Sequence, residues 1–343
     1  MSDLLWPSDG DNAGTFEKSM SFAFTQHLGY VASPVRGEAT SRAAGKVILV
    51  GEHAVVYGAK AIAIPLLSRN MKLHIYTDRV TTQNPKIKFQ IAGQPVHQSL
   101  IDMIHESFEV LRIPKFNLSI DGQSTLMLGA GVGSSASLCV SVIRGLCQVC
   151  GISLTPAKLS ALANRLERRF HGNPSGLDTA VVALEQAILF ERGRDAEAIT
   201  INKPKNSSLP WCFVLLDTAV RSPTINMVKL SEPWFKQNGE SAIRRFNTIT
   251  DSAVRALRHG DTQLLSEAMT KCHELLDLTG VVTDPVKRMI ELARNHGALA
   301  AKVTGAGGGG CVLALLPASQ CDETIANLRQ QIGDQRIHPI FIP

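Results

Sequence analysis

A glycine-rich stretch, Leu128-Gly129-Ala130-Gly131-Val132-Gly133-Ser134-Ser135-Ala136, has the composition of a loop that binds phosphate. Glycine adopts positive φ readily and has no Cβ, so backbone N–H groups in such a loop can approach an anion closely. An apolar run through Cys150 follows, and it predicts a helix whose N-terminus also attracts anions. Ser134 and Ser135 would present hydroxyls to a phosphate or to its metal ion. The leading hypothesis is nucleotide chemistry, and the alternative is a serine-capped loop before a buried helix.

The common nucleotide-binding templates do not describe this loop. It lacks the Gly-Lys-Ser/Thr ending of a Walker loop, and its glycine spacing differs from the dinucleotide fingerprint. A second cluster, Thr304-Gly305-Ala306-Gly307-Gly308-Gly309-Gly310, joins two predicted strands. Five glycines in six positions exceed what a hairpin turn needs, and they raise the entropy of the unfolded chain. The cluster therefore predicts a close approach of backbone to another group. The alternative is a flexible hairpin loop.

Charged residues at three places could complete a catalytic group. Lys46 precedes Glu52 and His53 by one short strand, and each of these side chains is equally explained as a solvated or satisfied polar group. Glu167 lies late in a predicted helix, and Asp178 lies just beyond the turn Asn173-Pro174-Ser175-Gly176. That turn allows the two carboxylates to converge, although charge on a helix surface explains them as well.

Hydrophobic periodicity predicts strands and helices in both halves of the chain. In the first half, strands are predicted at 46–50, 72–77, 86–91, 116–120 and 187–190, and helices at 95–111, from the glycine loop to 150, at 155–170, and after 176. In the second half, strands are predicted at 211–216, 298–303 and 311–316, and helices over 222–296 with breaks at Gly239, Gly260 and Gly280. The predicted fold class is α+β.

Length and composition predict two folded domains. The chain has 343 residues, 44% of them apolar, and a formal net charge of only +5. Residues 1–38 show no sustained period and are expected to form a mobile extension. The segment 203–210, rich in Lys, Asn, Ser and Pro, separates an N-terminal domain at 39–205 from a C-terminal domain at 206–343.

Charge, hydropathy and cysteine usage exclude several classes of protein. The basic residues are spread along the chain, which argues against nucleic acid or a membrane surface as a partner. No apolar run reaches the roughly twenty residues of a membrane span. Seven cysteines without a secretory leader predict reduced thiols, no disulfides and a cytoplasmic location. Cys147 and Cys150 are expected to serve packing alone.

Three separated motifs resemble those of the GHMP small-molecule kinases and follow one another in the same order along the chain. The first motif, with His53 and Tyr57-Gly58, is most similar to the members that phosphorylate the C5 hydroxyl of mevalonate. The resemblance covers residues 40–340. The three motifs are Gly45–Gly58, Gly129–Ala136 and Lys302–Cys311, and further matching segments are Gly172–Asp178, His273–Leu276 and Leu278–Val281.

The resemblance implies a ribosomal-protein-S5-like N-terminal domain and a ferredoxin-like C-terminal domain, with ATP and Mg²⁺ in the cleft between them. Asp178 would orient or deprotonate the acceptor hydroxyl, with Lys46 beside it as the second catalytic residue. Ser135 and Glu167 would bind the metal. The implied nucleotide-binding residues are Gly129, Ala130, Gly131, Val132, Gly133, Ser134 and Ser135, and the implied acceptor-side residues are Glu52, His53, Thr224, Gly305 and Ala306.

Two departures from the family pattern leave the nucleotide preference open. Ala44 stands where the family usually has proline, and Leu126-Met127-Leu128 replaces one or two prolines before the glycine loop. Two alternatives to a mevalonate-phosphorylating enzyme remain: a GHMP kinase for another acceptor, such as phosphomevalonate or a sugar, and a ligand-sensing homologue without turnover. A homodimer is a further expectation.

Overall fold

The computed structural model describes residues 33–342. Most of the expected extension, residues 1–32, lies outside this range. Among the described residues, β1 begins at Glu38, close to the end predicted for the extension.

A seven-stranded sheet organises the first half of the described chain. Its order is β4-β3-β5-β2-β6-β7, and β1 pairs antiparallel with β2 along nearly its whole length. The strands are β1 (Glu38–Val50), β2 (Ala61–Tyr76), β3 (Ile87–Ile91), β4 (Gln94–Pro95), β5 (Leu118–Ser124), β6 (Ile188–Phe190) and β7 (Glu197–Ala198).

Helices cover this sheet. They are α1 (Gln98–Leu111), α2 (Ser134–Cys150), α3 (Pro156–His171) and α4 (Leu177–Leu184). The central helix, α2, packs against β1 and β2, and α3 packs against α2 and α4. Most side chains of α2 are buried, as expected for a helix between a sheet and another helix. Thr155 caps α3 by accepting a hydrogen bond from the Lys158 N–H, and Pro156 occupies the first turn.

A four-stranded antiparallel sheet organises the second half, in the order β11-β8-β10-β9. Its strands are β8 (Trp211–Asp217), β9 (Ala300–Thr304), β10 (Cys311–Leu316) and β11 (Ile337–Ile342). The helices are α5 (Thr224–His259, broken at Gly239), α6 (Thr262–Leu278), α7 (Asp284–Asn295) and α8 (Cys321–Ile332). Of the helices within residues 33–342, none has both the length and the apolar character needed to cross a bilayer.

The chain passes from one sheet to the other between Ala198, the end of β7, and Trp211, the start of β8. The domain boundary at 205/206 lies in this connection and stays a prediction. In the first sheet, β2 is one long strand from Ala61 to Tyr76, whereas the sequence predicted a strand only at 72–77. The polar residues 68–70 coincide with a register shift opposite Ala44 and Gly45, so an irregularity interrupts the hydrophobic pattern without ending the strand.

The expectation that the chain forms no disulfide is wrong. Cys212 of β8 is bonded to Cys321, the first residue of α8, with the Cα atoms 6.3 Å apart. The two residues are 109 positions apart, and they meet because α8 leads into β11, which pairs with β8. Cys147 and Cys150 are free and buried, as expected for cysteines that serve packing.

Candidate active site

The glycine-rich loop at residues 128–133, here named the phosphate loop, leads directly into α2. Gly129, Gly131 and Gly133 have φ values of 67°, 82° and 76°, a region that favours glycine. The loop lies against β1, where the Lys46 N–H donates to the Val132 carbonyl at 2.9 Å. Small residues occupy the first turn of α2, so no bulky side chain of that turn covers its N-terminal N–H groups.

Lys46 and Asp178 form an ion pair beside the phosphate loop. Lys46 Nζ is 3.0 Å from Asp178 Oδ2 and donates to the Gly131 carbonyl at 3.1 Å. A Cβ on Gly133 would lie 2.8 Å from Lys46 Cγ, so glycine is required for the lysine to pass beneath the loop. Asp178 lies in the first turn of α4. Its carboxylate therefore stands next to the backbone that would hold a triphosphate.

Glu167, Ser135 and His171 meet near Asp178. His171 Nε2 lies 3.0 Å from Ser135 Oγ and 3.4 Å from Glu167 Oε2. Glu167 is buried, and its Oε1 has no hydrogen-bond partner. Burial, followed by the nearby Asp178 carboxylate, raises the pKa of Glu167 to about 7. A cation at Oε1 would offset both effects.

This arrangement fits a magnesium ion. Mg²⁺ takes oxygen ligands, and it usually combines one or two protein oxygens with waters and substrate phosphates. Glu167 supplies an unpartnered carboxylate oxygen and Ser135 a hydroxyl, both next to the phosphate loop. Within residues 33–342, no group of three or more His, Cys, Asp and Glu side chains is arranged to hold a metal by itself.

The second glycine cluster, residues 305–310, connects β9 to β10 and packs against the phosphate loop. A Cβ on Gly305 would lie 2.7 Å from the Gly131 Cα atom, and one on Gly310 would lie 3.0 Å from the Ala130 carbonyl oxygen. The Cys311 N–H donates to that carbonyl at 3.2 Å. The close backbone approach predicted for this cluster is confirmed, because side chains there would separate the two loops.

Glu52 and His53 lie at the junction of the two sheets. Glu52 is fully buried, and its carboxylate accepts from Lys302 Nζ and from Cys272 Sγ. The Glu52 carboxylate is thus paired inside the protein, next to His53, and its place on the acceptor side stays a prediction. Burial dominates the shift in the pKa of Glu52 and raises it, while Lys302 opposes the rise.

Both ring nitrogens of His53 are also engaged. Nε2 lies 2.8 Å from the Ala306 carbonyl oxygen, and Nδ1 lies 3.1 Å from Ser231 Oγ. Burial lowers the pKa of His53 to about 4, so the imidazole is neutral, with Nε2–H as the donor to Ala306. His53 thereby connects the end of β1 to the second glycine cluster.

Thr224 is the first residue of α5, two positions after Ser222, whose hydroxyl donates to the Gly308 carbonyl at 2.9 Å. The neighbouring Arg221 was not among the predicted site residues. Its Nε donates to the Leu128 carbonyl at 3.0 Å, and its guanidinium donates to both carboxylate oxygens of Asp217 at 2.7 Å. Arg221 stands only three residues before Thr224. Its closeness to a predicted acceptor-side residue was the one sequence feature that pointed to it.

Two more residues of the site were missed. His171 stands directly before the turn that precedes Asp178, and Lys302 stands just before the second glycine cluster. Lys302 belongs to the matching segment Lys302–Cys311, whereas His171 falls between the predicted helix 155–170 and the segment Gly172–Asp178. Glu167 lies four positions before His171 on the same helix, so spacing alone could have paired them. Glu52 lies 250 positions from Lys302, and that pair depends on how the two sheets pack.

Comparisons with known proteins identify the family. A family model described as "GHMP kinases N terminal domain" matches residues 97–186, and a second, described as "GHMP kinases C terminal", matches residues 253–333. A mevalonate kinase of Thermococcus gammatolerans is 28% identical over 309 residues, which cover 83% of this chain and 91% of the relative.

Two solved structures share the fold. A Leishmania (L. major) mevalonate kinase in complex with R-mevalonate has a TM-score of 0.74 and 23% identity, covering 90% of this chain and 98% of that one. A Streptococcus pneumoniae phosphomevalonate kinase in complex with phosphomevalonate and AMPPNP has a TM-score of 0.71 and 21% identity, covering 89% and 100%. The chain belongs to the GHMP kinase family, with an S5-like N-terminal domain and a ferredoxin-like C-terminal domain.

Proposed function

We propose that this protein transfers the γ-phosphoryl group of ATP to the C5 hydroxyl of mevalonate, giving 5-phosphomevalonate and ADP. The carrying observation is the Lys46–Asp178 pair, 3.0 Å across, at the edge of the phosphate loop. A carboxylate in that place can orient the acceptor hydroxyl and receive its proton as the new O–P bond forms. The similarity to relatives named mevalonate kinase supports mevalonate as the acceptor.

Each part of the site has a role in this reaction. Phosphoryl transfer needs alignment of the reactants and compensation of charge on the phosphate oxygens. The N–H groups of residues 129–135 would hold the triphosphate at the start of α2. The Lys46 ammonium offsets negative charge on Asp178 and on the group in transfer. We place the acceptor between Asp178 and the second glycine cluster, near Thr224, Gly305 and Ala306, with His53 shaping that side.

We further propose that Ser135 and Glu167 hold Mg²⁺ together with the nucleotide. When bound, the ion neutralises charge on the phosphate oxygens and fixes their orientation. Glu167 is suited to this role because its Oε1 is buried without a partner. Ser135 is suited because it belongs to the same helix turn that would contact the phosphates.

A coupled ADP-release assay tests the acceptor. The purified protein is given ATP and Mg²⁺ with mevalonate, phosphomevalonate, galactose or homoserine in separate reactions. Mevalonate is expected to give a kcat/KM at least tenfold above the other three, since pocket contacts can discriminate at that level. If phosphomevalonate were the best acceptor, the function would instead be that of a phosphomevalonate kinase, which has the same fold. The absence of ADP release with all four would contradict this proposal.

The cytoplasmic location and the homodimer remain parts of the proposal. The Cys212–Cys321 disulfide is unusual for a reducing compartment, so the location requires its own measurement. Fractionation of cells carrying the tagged protein tests the location, and light scattering of the purified protein at several concentrations tests the dimer.

A further inference from the structure

One face of α3 carries three polar side chains with unsatisfied atoms. Asn164, Glu167 and His171 follow one another at helical spacing, and Asn164 Oδ1, Glu167 Oε1 and His171 Nδ1 are each buried without a hydrogen-bond partner. An unpaired buried polar atom costs about 1–3 kcal/mol. Three such atoms on one helix face indicate that this face is built for something that satisfies them together.

His171 connects the two oxygens proposed to bind the metal. Its Nε2 is 3.0 Å from Ser135 Oγ and 3.4 Å from Glu167 Oε2. An N–H on Nε2 can donate to these oxygens, and Nδ1 is then a free acceptor. With Asn164 Oδ1 and Glu167 Oε1, the face then presents three acceptors and calls for strong donors or a cation.

The surroundings direct this face toward the reacting groups. Gly176 directly precedes α4, and a Cβ there would be in van der Waals contact with Asn164 Nδ2, at 3.6 Å, so the start of α4 lies close to Asn164. Asp178 lies in the first turn of that helix and forms the ion pair with Lys46. The face therefore lies beside the phosphate-transfer site.

We propose that His171 is a positioning residue, which holds Ser135 and Glu167 so that both oxygens face one divalent cation. In addition, Asn164 Oδ1 and His171 Nδ1 accept hydrogen bonds from waters on that cation. Mg²⁺ keeps several of its waters, and residues that hold metal ligands in place commonly contribute ten- to hundredfold to metal affinity. This inference rests on the proposed function and adds to it two residues that do not bind the metal directly.

Metal binding, measured without turnover, tests the role of His171. Mn²⁺ serves as the probe, with a non-hydrolysable ATP analogue, and free Mn²⁺ is followed by electron paramagnetic resonance. His171→Leu should raise the Kd of Mn²⁺ about tenfold. His171→Gln places an amide N–H near the position of Nε2 and should restore the Kd to within about threefold of the wild-type value. Arg165→Leu, at an exposed position on the same helix, is the matched control and should leave the Kd unchanged.

Asn164→Leu tests the contact to metal-bound water. It should raise the Kd of Mn²⁺ by a smaller factor, about threefold. The affinity for the analogue without metal and the thermal midpoint of unfolding should remain close to wild type in every variant. An unchanged Kd in Asn164→Leu would overturn the role of Asn164.

Two results would overturn the role of His171. One is an unchanged Kd of Mn²⁺ in His171→Leu. The other is a loss of metal-free nucleotide affinity and of thermal stability as large as the loss of Mn²⁺ affinity, which would indicate a purely structural residue. A wild-type protein whose nucleotide binding is indifferent to Mn²⁺ would instead contradict the metal site of the proposed function.

Discussion

Asp178 differs from its charged neighbours in exposure. Its side chain is 35% exposed, whereas those of Lys46 and Glu167 are each 2% exposed. A small acceptor could therefore reach the Asp178 carboxylate while its ion pair with Lys46 stays intact. Lys46 and Glu167 are held in place by the surrounding packing, as expected for groups that must keep a fixed geometry.

Asp178→Asn should abolish phosphorylation while sparing nucleotide binding. The amide keeps the size of the side chain but cannot take up the hydroxyl proton, so kcat should fall by at least about a thousandfold. The Kd for a non-hydrolysable ATP analogue, measured by calorimetry, should stay within about threefold. Asp195→Asn, at an exposed position, is the control. Near-normal turnover in Asp178→Asn would remove this residue from the mechanism.

His53 should make the folded protein less stable in mild acid. Its pKa is lowered to about 4 by burial, whereas an unfolded histidine titrates near pH 6.5. Between these values the unfolded state binds more protons than the folded state, so stability falls as the pH drops through this window. From pH 7.5 to pH 5 this one group should account for about 2 kcal/mol.

Urea unfolding at both pH values measures the effect. His53→Gln should reduce the loss between pH 7.5 and pH 5, although His273, with a pKa also lowered to about 4, retains its own contribution. His259→Gln, at an exposed position, should keep the full loss. Equal losses in the wild type and in His53→Gln would contradict a neutral, buried His53.

At the scale of elements, the site depends on the contact between the phosphate loop and the second glycine cluster. The two loops belong to different sheets and touch through backbone, so the conformation of one supports the other. Arg221 adds a second support by binding both Asp217 at the end of β8 and the Leu128 carbonyl. Glycine at the contact is therefore a steric requirement of the tertiary structure.

Gly131→Ala should damage this contact. The new Cβ would lie 2.9 Å from the Thr304 carbonyl oxygen, and the residue has a φ of 82°. We expect a loss of about 2–4 kcal/mol in the free energy of unfolding and at least a tenfold weaker affinity for ATP.

Gly193→Ala separates the steric clash of a new Cβ from the backbone strain of a positive φ. Gly193 has a φ of 86°, and a Cβ there would meet nothing within 4 Å. This variant should show only the backbone cost of about 1–2 kcal/mol and normal ATP affinity. Chemical denaturation and calorimetry measure both quantities, and indistinguishable behaviour of the two variants would refute a steric role for Gly131.

Most elements could be predicted because their patterns are local. The apolar run after the phosphate loop, the Thr155-Pro156 start of α3 and the alternation in β3 each depend on neighbours within a few turns. The last helix and strand, α8 and β11, were missed. β11 carries a proline, Pro339, which argues against a strand in general and is tolerated here because β11 lies at the edge of its sheet.

At the scale of the whole molecule, buried polar contacts join the two sheets. Lys302 of β9 pairs with Glu52 after β1, and both side chains are fully buried. Thr304 Oγ1 accepts from the Ile48 N–H at 3.1 Å and donates to the Ile48 carbonyl at 2.9 Å. Such contacts specify one relative placement of the halves, because any shift would leave buried groups without partners.

Lys302→Met should be strongly destabilising, by about 3–5 kcal/mol, because it leaves the Glu52 carboxylate buried and unpaired. Adding Glu52→Gln to this variant should recover much of the loss, since no unpaired charge remains. Urea unfolding of the two single variants and the double variant gives the coupling energy. Additive effects would show that the two charges do not depend on each other.

The sequence by itself determined which functional groups are available: a glycine loop before a helix, a lysine, two carboxylates, a serine, and the order of three motifs. These features are readable because composition and short spacing govern backbone conformation and the choice of functional groups.

Only the tertiary structure decided which of these groups meet inside the protein. Glu52 turns to Lys302 inside the protein, His53 bonds to Ala306, and Cys212 meets Cys321. Each of these pairs lies more than a hundred positions apart in the chain. Their contacts are set by how two sheets pack against each other, and local propensity contains no information about that packing.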